Sequence, residues 1–326
     1  MKKWGWIGMI GVLASLLSGC FFGGGAVTGG TYEDAVQYRT GAFTYQAAEV
    51  REVRVNWHSG SVTLKQTGGE QLSVSESGTN LTEEKALHWL LQDGVLYVEF
   101  CASGYSGQFS GSDKRLTVEV PEGLTLAVTT TSAGISADLG KQKQVLLQST
   151  SGTIEVGSVT AEEVRLETTS GGIHAELAEG DRVAAISTSG AIRLDEIRAR
   201  ETVRLTSTSG GIQVSSLSAA GGEVEAGNSS GGLRIGSLCA ARLSVGTTSG
   251  SVTVGVAECD EISVGTTSGS VRLELAQGFG ATVSVSTTSG SFNGSGYKTE
   301  SGRSYVWGDG ACAVRIRTTS GSITVK

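Results

Sequence analysis

Proline is nearly missing from this chain of 326 residues, occurring once, at Pro121, while histidine occurs three times and aromatics make up only 6%. Too few large rings are present to build a globular core on them, so the core has to come from small, regular side chains. Basic residues are also short, with 25 Lys+Arg against 32 Asp+Glu and a net charge of −7. That balance excludes an electrostatic nucleic-acid binder. No CxxC pair and no histidine spacing supports a metal site, and neither GxxxxGK[ST] nor HExxH occurs, nor GxSxG in a strand-to-helix context. No cofactor is therefore expected.

What the chain has in quantity is glycine, 49 residues of it, set in a recurring phrase. TTSGSV stands at 247–252 and again at 266–271. Aligned on the phrase's serine, the copies fall at Ser132, Ser151, Ser170, Ser189, Ser209, Ser230, Ser249, Ser268, Ser289 and Ser320, with spacings of 19, 19, 19, 20, 21, 19, 19, 21 and 31. A period near twenty residues marks a stacked repeat architecture.

One unit, VRLTSTSGGIQVSSL around Ser209, shows the pattern. Val203, Leu205 and Ser207 alternate with Arg204, Thr206 and Thr208, and the alternation restarts at Ile212 and Val214 after the glycines. The period of two predicts two short strands per coil, each with one buried face, joined by a corner where glycine supplies a positive φ. A lone pair of such strands is marginal in water, but stacked coils pair in parallel, about 4.8 Å apart, and bury aliphatic columns. The expected fold is all-β: a single-stranded parallel β-solenoid of about ten coils of ~19 residues, with hydroxyl columns bonding along the corners. The corner serines are structural on this reading, since no base accompanies them in sequence.

Residues 1–20, MKKWGWIGMIGVLASLLSGC, place two lysines before an apolar run and then small residues, the layout of an export signal. Leu17, Ser18, Gly19 and Cys20 resemble the lipobox of bacterial lipoproteins. That resemblance implies a signal peptide over 1–19, a lipid on Cys20 holding the protein to a membrane, and an extracytoplasmic, cell-envelope location. The FFGGGAVTGG run that follows reads as a flexible tether within 20–49.

VRVNWHSGSVTL, with Val53, Val55, Trp57, Val62 and Leu64, starts the solenoid near residue 50, so the solenoid spans 50–326. Regular coils cover 124–292, an insertion covers 293–312, and the last strands run over 313–326. Leu81, Ala86, Leu87, Leu90 and Leu91 fall at helical spacing, which predicts a short N-terminal capping helix. The insertion gathers Tyr297, Tyr305 and Trp307, which read either as a packed cap or as contacts to a ligand.

Cys239 and Cys259, one coil apart, predict a disulfide between neighbouring rungs in an exported protein, whereas Cys101 and Cys312 belong to opposite ends. The outward column four residues after each corner serine reads Glu155, His174, Arg193, Gln213, Arg234, Thr253, Arg272. It holds no pair of carboxylates of the kind a glycosidase needs. Its arginines have Glu176, Asp195 and Glu274 beside them, the composition of a solvated face. His58 and His88 have no partner in sequence, and no corner carries the aspartate of calcium-binding solenoids.

The repeated TSGxIxV phrase, the leader and the interrupted last coil are similar to the bacterial putative-adhesin β-strand-repeat family (domain of unknown function 4097). The resemblance covers about residues 50 to 326 and implies a parallel β-solenoid on the cell surface. The expected role is a non-catalytic, lipid-anchored surface module, structural or adhesin-like, with a surface glycan or protein as partner. A carbohydrate-binding or carbohydrate-active β-helix and an envelope scaffold in signalling are the alternatives.

Overall fold

The computed structural model describes residues 27–28, 30–107, 109, 114–299 and 304–326. The leader, Cys20 and most of the tether lie outside them. Among the described residues there is no α-helix, only two 3-10 turns, Ala35–Gln37 and Ala47–Glu49, beside the strands of a parallel stack.

The middle of the chain coils as its period demands. Each coil is one extended run, such as Ile154–Thr168 or Ile173–Ser187, lying in parallel register on the next. The ladder breaks into three paired segments per coil, here 154–156, 158–161 and 163–168, where the sequence pattern had suggested two strands. The inward residues of this coil are Ile154, Val156, Val159, Ala161, Val164, Leu166 and Thr168, all buried. Small side chains suffice because neighbouring rungs stand only about 4.8 Å apart, and each column packs on its own copies. The longer spacings of 20 and 21 residues are absorbed by register shifts in the return segment, between Arg198 and Thr202 and between Ala219 and Glu223.

At both ends, stack order departs from chain order. The first coil, Glu52–Trp57 and Ser61–Gln66, lies between Val95–Glu99 with Arg115–Val120 on one side and Thr125–Thr130 with Gly134–Asp138 on the other. The last coil, Cys312–Thr318 and Ile323–Val325, slots between the rung at 261–275 and the rung at 281–294. Each terminal coil is thus held between two others, and later or earlier chain closes over it.

The outermost rungs are covered by antiparallel strands: His88–Gln92 and Gln71–Ser77 at the N-terminal end, and Ser304–Trp307 at the C-terminal end. This occupies strand edges that would otherwise recruit another chain. The helix expected at 80–92 is not formed. Turns fill 83–85, and His88–Gln92 makes a hairpin with Val95–Glu99 through Asp93 (φ 50) and Gly94 (φ 74). Asp-Gly at two positive φ values is the preferred tight hairpin turn, and burial of both Leu87 and Trp89 follows a period of two.

Candidate functional site

The corners are the most repeated surface, and their chemistry is directed inward. The first residue of each TTSG-type phrase faces inward, and where it is threonine or asparagine from Thr168 onward its side-chain oxygen accepts from the glycine N–H three residues on. Thr168 Oγ1 takes Gly171 N at 3.0 Å, Thr266 Oγ1 takes Gly269 N at 2.9 Å and Thr318 Oγ1 takes Gly321 N at 2.9 Å, while Asn228 Oδ1 does the same for Gly231 at 2.8 Å. Bonding along the stack is carried by backbone, as in Ser170 N to Thr150 O at 2.9 Å and Ser268 N to Thr248 O at 2.8 Å. Inward threonines therefore close their own corners, the backbone links one corner to the next, and some hydroxyls bond along the stack as expected, Ser132 Oγ to His58 O and Ser289 Oγ to Thr319 O, both at 3.2 Å.

Nor does the glycine of the TTSG-type corners adopt a positive φ, as Gly60 at the corner of the first coil does (φ 89). It is required for close approach. A Cβ on Gly190 would fall 1.7 Å from Gly171 O, and one on Gly250 would fall 1.9 Å from Gly231 O. No side chain fits there.

The outward column lies in the predicted register, Glu155, His174, Arg193, Gln213, Arg234, Thr253 and Arg272, and continues through Thr324 to Asn293 because the last coil is intercalated. Two of its members have acidic partners: His174 Nε2 stands 3.8 Å from Asp195, and Arg272 lies 3.9 Å from Glu274, which also reaches Lys326 at 3.1 Å. A second face carries ion pairs from rung to rung. Arg182 bridges Glu163 (3.6 Å) and Glu201 (3.1 Å), and Arg315 of the last coil reaches Glu261 at 2.9 Å. Among the described residues, no three His, Cys, Asp or Glu side chains gather as metal ligands would.

The two ends hold the unusual chemistry. At the N-terminal end Lys114 is buried, with Nζ 3.1 Å from Glu76 Oε2, donating to the carbonyls of Lys85 and Phe100, and 4.3 and 4.8 Å from the ring centroids of Phe100 and Trp57. Beside it, burial pushes the Cys101 thiol up to about 11. Burial likewise raises the Glu99 carboxyl to about 7, against the hydrogen bond at 2.7 Å that Asn56 donates to it. Lys114 and Glu76 carried no signal in the repeat pattern, because neither lies in a repeated phrase.

At the C-terminal end the expected aromatics do come together. Phe292 stacks on Tyr305 (4.2 Å, 26°), Tyr297 meets Tyr305 edge-on at 4.9 Å, and Tyr297 lies 5.2 Å from Trp307. Trp307 is 7% exposed and its Nε1 donates to Ser295 O at 2.8 Å, so it is a packing residue. Tyr297 and Tyr305 are half-buried and keep part of their surface in solvent.

The cysteine expectation needs correction. Cys239 stands opposite Glu258, and Cys259 stands opposite Ala240. Cys239 is half-exposed, with its thiol on Glu258 at 3.4 Å, while Cys259 points into the core, and the two form no bridge. They are twenty residues apart where the local period is nineteen, which places them on opposite faces of the ladder.

These features define a parallel β-solenoid with interlocked, capped ends. The family model described as Toastrack DUF4097 matches residues 50–326, and the chain belongs to that family. No curated protein matches the sequence. Among solved structures, a putative adhesin from Parabacteroides distasonis is 14% identical, with 88% of this chain and 97% of that chain covered, at a TM-score of 0.41. A putative adhesin from Parabacteroides merdae is 13% identical over 73% of this chain and 92% of that one, at 0.37. A putative cell adhesion protein from Clostridium sporogenes is 14% identical over 89% and 99%, at 0.21.

Proposed function

We propose that this protein is a non-catalytic surface module, a rigid solenoid held to the cell envelope through a lipid on Cys20, with a structural or adhesin-like role. The observation that carries the reading is the parallel ladder running from Ile154 to Thr266, in which every rung presents side chains at fixed spacing. A body of this kind spends its repeated residues on shape. Outward arginines such as Arg182 and Arg315 pair with carboxylates of neighbouring rungs, and inward corner threonines such as Thr266 and Thr318 are committed to glycine N–H groups. The leader ending in Leu17-Ser18-Gly19-Cys20 supports display outside the cytoplasm.

The partner is a surface glycan or protein. Tyr297 and Tyr305 favour a glycan, because half-buried rings at the end of the stack are the kind of platform on which sugars lie. The test is binding of the body, residues 31–326, to a panel of glycans and matrix proteins, with Tyr297→Ala as the contact variant. Trp307→Ala is unsuitable because it would cut into the core. Saturable binding lost in Tyr297→Ala supports the glycan reading. Binding that survives this change moves the contact to the ladder faces, and hydrolysis of any panel member contradicts the non-catalytic role.

A further inference from the structure

Cys259 closes the return segment of one rung, and Cys312 opens the strand of the intercalated last coil that lies directly on it. The ladder sets Glu261 against Ala313 and Ile262 against Val314, which brings the two cysteines to the same edge of neighbouring rungs. Both side chains point inward, 5% and 2% exposed. Both are free thiols, and each shifts the other, drawing the Cys259 thiol down and raising that of Cys312. Rungs about 4.8 Å apart, with an offset of about one residue, put the Cα atoms about 5 to 6 Å apart, inside the range a disulfide accepts. The other two cysteines of the described body are elsewhere: Cys101 in the N-terminal cap, and Cys239 on the outer face.

We propose that Cys259 and Cys312 form a disulfide in the mature protein, stapling the intercalated last coil to the rung beneath it. The bond serves a specific need. Residues 312–326 sit between two rungs that both precede them in sequence, so this coil has to enter a gap whose two walls come earlier in the chain. A bridge at the entry of that coil fixes it to one wall of the gap. Formation requires a disulfide donor, such as a thiol oxidase of the envelope or oxidised glutathione. The Cys259 thiolate attacks the donor's S–S bond and releases one donor thiol. Cys312, on losing its proton, attacks the Cys259 sulfur of the mixed disulfide and releases the second donor thiol. Two electrons pass from the cysteines to the donor, and the two protons leave with them.

Refolding tests this independently of where the protein resides. The full chain is unfolded, refolded in a mixture of reduced and oxidised glutathione, alkylated, and mapped as unreduced peptides by mass spectrometry. The expected map joins the peptide of Cys259 to that of Cys312 and leaves Cys101 and Cys239 alkylated. A refolded protein with Cys259 and Cys312 both alkylated, or with Cys259 joined to Cys239, overturns the proposal. Should refolding yield no β structure, the same map made directly on protein extracted from membranes of producing cells decides it by the same two outcomes. Cys312→Ser adds a second reading: its denaturant midpoint no longer responds to reductant, whereas that of Cys239→Ser still falls when reductant is added. An unchanged response in Cys312→Ser also overturns the proposal.

Discussion

Gly321 lies so close to Gly269 that a Cβ built on it would stand 1.9 Å from the Gly269 carbonyl oxygen, although six strands separate them in the chain. Gly290, earlier in sequence, lies beyond Gly321, with its own Cβ position 2.0 Å from Gly321 O. The glycine column thus records the true order of the stack: 250, 269, 321, 290. Alanine at any of these positions has to push two rungs apart. Gly190→Ala and Gly321→Ala are each predicted to cost about 3 kcal/mol, read as a fall in the denaturant midpoint. Gly246→Ala, with nothing near its Cβ position, is the control and should change little.

The corner hydroxyls predict a contrast. Thr266 Oγ1 accepts from Gly269 N, whereas Ser187 Oγ and Ser207 Oγ, at the same place in their coils, are buried without a hydrogen-bond partner. Thr266→Ala should destabilise by about 1 kcal/mol. Ser187→Ala should be neutral or stabilising, because it removes an unsatisfied group, and urea unfolding of the two variants side by side checks the difference.

Glu99 gives the N-terminal cap a pH dependence. Its carboxyl titrates near 7 in the folded chain because burial penalises the charge, and near the ordinary 4.5 once unfolded. The folded state therefore holds this proton more tightly, so its contribution to stability is full below pH 4.5 and is lost as pH rises through 7. A shift of this size corresponds to on the order of 3 kcal/mol. Stability measured from pH 4.5 to 7.5 should fall in the native chain, and the Glu99→Gln variant should lose this component of the slope.

Lys114 predicts a local failure. Lys114→Ala leaves Glu76 buried without its cation and should cost about 3–5 kcal/mol. Hydrogen exchange should show the loss concentrated around 71–120, with the coils beyond Ile154 protected as before, since each rung of a solenoid contacts only its neighbours.

Much of this architecture was legible in the sequence, because its signal is repetition. The inward alternation, the corners and the outward column from Glu155 to Arg272 follow directly from the nineteen-residue register. Stack order was not legible. Coils of near-identical sequence offer near-identical edges, so nothing local states that 313–318 must pair with 261–266 before 281–287 does. The cysteine pairing failed for another reason: Cys239 and Cys259 do lie on neighbouring rungs, but twenty residues against a local period of nineteen turn them to opposite faces. In the cap, helical spacing of leucines outweighed the Asp93-Gly94 turn, and the turn's two positive φ values decided the structure.

Display of the rod outside the cytoplasm from an acylated Cys20 is the central element of the proposed function. Metabolic labelling of producing cells with an alkyne fatty acid, combined with protease treatment of intact cells or spheroplasts, tests this most directly. Label incorporated into the native chain and absent from Cys20→Ser, with the body accessible to protease, is the predicted result. A native chain that carries no label, or a body protected from protease until the cytoplasmic membrane is broken, would contradict it.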